Sequence, residues 1–129
     1  MEAKLQNKRP KHLNLFKIRQ PLPAVVSILH RISGALLFFP GIPLVLYSLQ
    51  MLLQSQQSFE ALQDCLRDPV IKVALLVPIW FFLHHLCAGI RHLVLDLHVG
   101  VTLPQARMGS RLVVAAGILL TALIGVMLW

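Results

Sequence analysis

Charged residues in this chain cluster in a few places and leave long apolar stretches between them. None lies between Arg31 and Glu60, none between Lys72 and Arg91, and none follows Arg111. A bilayer core about 30 Å thick is crossed by about 20 apolar helical residues. The spacing therefore predicts three membrane-spanning helices, at roughly 29–53, 69–96 and 110–129, and an all-α membrane protein. The first 23 residues form a basic leading segment, and 24–129 form one transmembrane domain. Pro40 and Pro43 fall in the first span and Pro78 in the second. Each removes a backbone donor and bends its helix, which neighbouring helices tolerate.

Composition sharpens this picture. Of 129 residues, 57% are hydrophobic and 13% charged, with a mean hydropathy of +0.72. Soluble domains average about 45–50% and about 25%. A formal charge of +7 does not make such a chain disordered or nucleic-acid-wrapping. The placement of the charge is more informative. Lys4, Lys8, Arg9, Lys11, Lys17, Arg19 and Arg31 stand before the first span or in its opening turn, and Arg91, Arg107 and Arg111 flank the connection between the second and third. Only Arg67 and Lys72 flank the connection between the first and second. The positive-inside rule then puts the N-terminus in the cytoplasm and the C-terminus on the far side.

The leading segment interleaves its cations with Leu13, Leu15, Phe16 and Ile18. Two readings fit: a stretch held at the interface by anionic lipid, or a docking surface for a cytoplasmic partner. It does not read as a cleaved signal, since its first apolar run, starting near Ala24, is too long. Glu2 and the scarcity of Ser argue against a transit peptide, and a bacterial inner membrane is the expected location. Cys65, in the loop after the first span, and Cys87, inside the second, are expected to be free thiols.

Ionisable side chains inside a span are costly and mark function by default. In the second span His85, Gly89, His92 and Asp96 fall within about 40° of His85 around the helix. Glycine on that stripe admits a flat ligand or another backbone. A neutral imidazole beside cleared space suits haem iron, with His30, Arg31, Arg91 and His92 placed for the propionates. A histidine that merely hydrogen-bonds another helix fits as well, as does a proton path through His85, His92 and Asp96. Zinc fits poorly, because no Cys or carboxylate converges at that depth. His84 and His85 point about 100° apart, and His30 is expected too shallow to face His85. A six-coordinate haem would then need a second histidine from another chain.

At the start of the first span Ser27, Arg31 and Gly34 share a face, with His30 on its flank. A hydroxyl and a permanent cation at the lipid boundary suit a quinone carbonyl that gains negative charge on reduction. Equally, Ser27 could cap the helix while Arg31 snorkels to the headgroups.

Two stretches carry a resemblance: Arg9-Pro10 with Leu13, Leu15, Ile18-Arg19, Pro21 and Ser27-Ile28-Leu29-His30-Arg31-Ile32-Ser33-Gly34, and then His85, Gly89, Arg91, His92 and Asp96. Together they resemble the cytochrome b subunit of succinate dehydrogenase, one of the two membrane anchors of complex II. The resemblance covers essentially the whole chain. It implies a bundle shared with a second hydrophobic anchor and one haem b held between the two, with His85 at the ligand position. It also implies a ubiquinone site built from Ser27 and Arg31 with residues of the other anchor and the iron–sulfur subunit. His30 and Arg31 match positions near the propionates. His84, directly beside the ligand position, is a departure. Succinate would be oxidised on a flavoprotein subunit, since this chain has no Gly-rich nucleotide loop and no cluster-type Cys spacing. A menaquinone-linked fumarate reductase anchor and a haem-free proton-path or interaction protein are the competing readings.

Overall fold

The computed structural model describes residues 19–129. Most of the basic leading segment, with Lys4, Lys8, Arg9, Lys11 and Lys17 and the motif positions up to Ile18, lies outside the described residues. Among those described, the regular structure is helical: α1 (Leu22–Leu36), a π turn (Leu37–Gly41), α2 (Ile42–Gln54), α3 (Gln56–Arg67), α4 (Pro69–Asp96) and α5 (Leu103–Met127). Helix α1, the π turn and α2 form one rod, Leu22–Gln54. That rod, α4 and α5 are each long and apolar enough to cross a membrane.

Prolines set the helix starts. One sits in the first turn of α1, α4 and α5, where the missing N–H has no intrahelical partner to lose. Asp68 caps α4, its carboxylate accepting from the Val70 and Ile71 amides at 2.7 and 3.4 Å. Inside the first rod stand Pro43 and, within the π turn, Pro40. Pro40 offers no N–H to the Leu36 carbonyl, and the chain widens by a residue, so that the Ile42 amide donates to Leu37 five positions back. Helix α4 runs through Pro78 without interruption.

Two connections differ from expectation. The stretch after the first rod is not a loop. Ser55 and Ser58 cap one another, each side chain accepting from the other's amide at 3.1 Å, and start α3, which therefore carries Cys65 on a helix. The second connection is short. Pro104 starts α5 at Leu103, ahead of the Arg107 and Arg111 charges that marked the expected span, so only residues 97–102 link α4 to α5. His98 and Gly100 turn that link with φ of 60° and 78°. Both cysteines are free.

Helices α1, α4 and α5 pack together, whereas α2 leans on α3 and the π turn. Beyond the π turn the rod parts from α4, leaving a groove of about 600 Å³ walled by Leu37, Leu44, Val45, Leu75, Pro78 and Phe82, without polar lining. The core is narrow: Val26, Leu83, Ala88 and Val113, with Ser33, His84 and Ser110. Small residues set the α4–α5 approach. A Cβ on Gly117 would stand 3.7 Å from the His84 Cα, the close backbone packing that helices use where lipid supplies no hydrophobic drive.

Candidate functional site

Three histidines meet where α1 crosses α4. The His30 ring stacks on His85 with centroids 4.2 Å apart and planes 17° from parallel. His92 lies 5.1 Å from His30, tilted by 41°. One glycine on each helix makes the crossing close. A Cβ on Gly34 would lie 2.8 Å from His85 Cε1, and one on Gly89 would lie 3.5 Å from His30 Nε2. Each helix thus lacks a side chain where the other helix's imidazole sits.

The hydrogen bonds fix one ring. His85 Nδ1 stands 3.0 Å from the His30 carbonyl and 3.1 Å from Ser33 Oγ, and Ser33 donates to that same carbonyl at 2.9 Å. A carbonyl only accepts, so Nδ1 carries the proton and Nε2 carries the lone pair. Ser33 is fully buried. This is the arrangement by which a protein orients a metal-ligating histidine: an outer partner on one nitrogen sets the tautomer and aims the other.

His84 is placed differently. It is fully buried, stacks on Trp80 at 5.3 Å and lies against Gly117 of α5. Neither ring nitrogen has a partner among the described residues. It fills the interior between helices, with no open face toward a planar ligand.

The structure gathers some of the expected residues and separates others. His30 is not too shallow to face His85. Helix α1 begins at Leu22, so His30 lies about two turns inside it, level with His85. The two rings nevertheless stack face to face, so their in-plane lone pairs do not point at each other. Ser27 is half-buried and Arg31 exposed, one turn apart on α1 around His30. Arg91 does not join the cluster. Its side chain turns to α5, with Nη2 donating to the Ala106 carbonyl at 3.4 Å and Gly109 alongside, because its position is about 120° around α4 from His85. Asp96 ends α4, exposed. Ser33 was not singled out in the sequence, although its spacing of three from His30 places it on the same side of α1.

Comparison with known proteins gives this constellation its context. Residues 6–124 match the family model described as succinate dehydrogenase/fumarate reductase transmembrane subunit. The chain belongs to that family. It is 39% identical to the succinate dehydrogenase cytochrome b556 subunit of Coxiella burnetii, over 95% of this chain and 98% of that protein. The subunits of the same name from Rickettsia felis and Paracoccus denitrificans are 32% and 31% identical, over 97% and 87% of this chain. Within the succinate dehydrogenase/fumarate reductase transmembrane family, three spanning helices identify this chain as a membrane-anchor subunit. The α1–α4 crossing is where His30, His85 and His92 converge.

Proposed function

We propose that this chain is the haem-bearing, quinone-binding anchor of a bacterial succinate:quinone oxidoreductase. The observation that carries the reading is His85, whose Nδ1 is held by the His30 carbonyl and Ser33 so that Nε2 remains the basic nitrogen. A glycine against each imidazole lets the two helices close on the rings and pin His85 in place, as a haem-ligating side chain requires. His85 would hold haem b from one side. A histidine of the second hydrophobic anchor would hold it from the other, since the stacked His30 ring is not directed across a metal. His92 and His30 lie beside His85 and would serve the propionates with Arg31. Bound there, haem supplies a one-electron carrier within the membrane.

Ser27 and Arg31 would form this chain's share of the ubiquinone pocket. The Ser27 hydroxyl donates to a quinone carbonyl, and the Arg31 guanidinium, charged at any working pH, stabilises negative charge developing on that oxygen. The other anchor and the iron–sulfur subunit close the pocket, and electrons arrive from succinate oxidised on the flavoprotein subunit. That the relatives are succinate dehydrogenase subunits favours succinate oxidation over the reverse reaction. The charge asymmetry favours a cytoplasmic N-terminus and periplasmic C-terminus. Asp96, exposed where α4 ends, is placed to relay protons from the aqueous side.

The test compares His85→Ala with His84→Ala in the assembled complex by reduced-minus-oxidised spectra. Loss of the b-type bands in the first and their retention in the second is expected. The opposite outcome would move the ligand by one residue, and intact bands in both would remove haem from this chain.

A further inference from the structure

On the side of α4 away from the histidines, a cleft of about 240 Å³ opens between the last turns of α4 and the first turns of α5. Cys87, Ile90, Val94 and Leu112 make its walls, and Arg91 and Gln105 are its polar lining residues. Arg91 is poorly satisfied there. Its Nε is buried with no partner among the described residues, and its Nη2 reaches only a long 3.4 Å contact to the Ala106 carbonyl. Gly109 leaves room for it, since a Cβ there would stand 3.4 Å from Nε. No Asp or Glu lines the cleft, and no carboxylate lies within 4.0 Å of Arg91 among the described residues. A guanidinium with no anion among the described residues, set at the end of an apolar slot near the membrane boundary, is a permanent cation that its surroundings leave to be neutralised.

We propose that Arg91 and this cleft form a phospholipid site, the guanidinium binding the headgroup phosphate and one acyl chain lying in the slot. The ligand is an anionic phospholipid such as phosphatidylglycerol, because the cleft offers no carboxylate to pair with the ammonium of a zwitterionic headgroup. The site faces α5 and is separate from the α1–α4 crossing, so its occupancy and the haem reading stand or fall independently.

The experiment uses the intact complex, purified from nanodiscs containing phosphatidylglycerol, phosphatidylcholine or both, with bound lipid identified by native mass spectrometry. Wild type is expected to retain one phosphatidylglycerol per copy of this chain through delipidation. Arg91→Gln is expected to lose it at least tenfold more readily, and Arg91→Lys to retain it partly. Leu112→Trp, which fills the slot from its lipid-facing wall and keeps the cation, is expected to expel the lipid with normal assembly and therefore tests the site even if Arg91 variants assemble poorly. The haem spectrum is expected to be unchanged in every variant. Equal retention by wild type and Arg91→Gln, equal retention of phosphatidylcholine, or displacement of the lipid by inorganic phosphate at millimolar concentration would each overturn the proposal. So would loss of the iron–sulfur subunit from Arg91→Gln with lipid retained, which would make Arg91 a protein contact, or loss of the b-type bands, which would return it to the haem.

Discussion

Gly34→Ala is the most discriminating single substitution at the α1–α4 crossing. The added methyl would lie 2.8 Å from His85 Cε1, whereas carbon atoms rest at about 3.5–4.0 Å. Something must move by about 0.7 Å or more, and the imidazole is the freer party because it can rotate about its side-chain torsions while both helix backbones stay in place. The helices therefore still pack, and the damage falls on the ring's orientation. A displacement of that size takes Nδ1 from 3.0 and 3.1 Å to about 3.7 Å from its acceptors, outside hydrogen-bonding range. Losing partners at a buried polar nitrogen costs about 1–3 kcal/mol, and about 1.4 kcal/mol is tenfold in binding. Haem affinity is expected to fall roughly 10- to 100-fold, the range typical for loss of an outer partner of a metal ligand. Haem titration of the haem-depleted complex, followed by the reduced b-type bands, measures it. Gly117→Ala is the control, because its methyl would meet His84 at an ordinary 3.7 Å and should leave the titration unchanged. Wild-type affinity and an unshifted spectrum in Gly34→Ala would refute the argument that the His30 carbonyl and Ser33 orient the ligand.

Four further outcomes are expected. Ser33→Ala leaves the His30 carbonyl to hold Nδ1, so haem retention should weaken only a few-fold, less than in Gly34→Ala; the same titration ranks the two. Ser27→Ala and Arg31→Ala should each lower ubiquinone reduction by about tenfold or more, the worth of a charge-assisted hydrogen bond of roughly 1.5–3 kcal/mol, while succinate oxidation by an artificial dye persists; parallel loss of both activities would make the residues structural. Lys72→Met removes a donor that reaches the Leu128 carbonyl at 2.8 Å and a cation 5.5 Å from the Trp129 ring. It should destabilise the α4–α5 end by about 1 kcal/mol, read as faster hydrogen exchange at the last amides of α5. Pro40→Ala restores an amide donor inside the first rod. The π turn should then relax toward α-helix and turn α2 relative to α1, visible as altered spin-label distances between α2 and α4.

How far the sequence reaches can be followed residue by residue. An uncharged stretch long enough to cross a bilayer has few alternatives, because unpaired backbone groups are intolerable in lipid. The all-α character and three spanning helices were accordingly legible from charge gaps alone. The stripe of His85, Gly89, His92 and Asp96 was legible too, because helical periodicity is a property of one chain segment. Helix α3 escaped notice since its signal, the Ser55–Ser58 cap, is short and lies in a stretch that polarity marks as a connection. The early start of α5 escaped because Pro104, a helix starter, was outweighed by the charges after it.

What needed the tertiary structure was every relation between helices. Periodicity assigns Gly34 to a face of α1 but does not say whose side chain that face receives; the crossing gives it to His85 and gives Gly89 to His30. Depth estimated along one helix made His30 too shallow, because depth depends on where the helix starts and how it meets its neighbour. Arg91 shared a motif with His92 in sequence, and 100° of helical rotation sent it to α5. Residue chemistry and period are local and written in one segment, whereas partner and orientation follow from the packing of separate segments, which here depends on small residues at the two contacts.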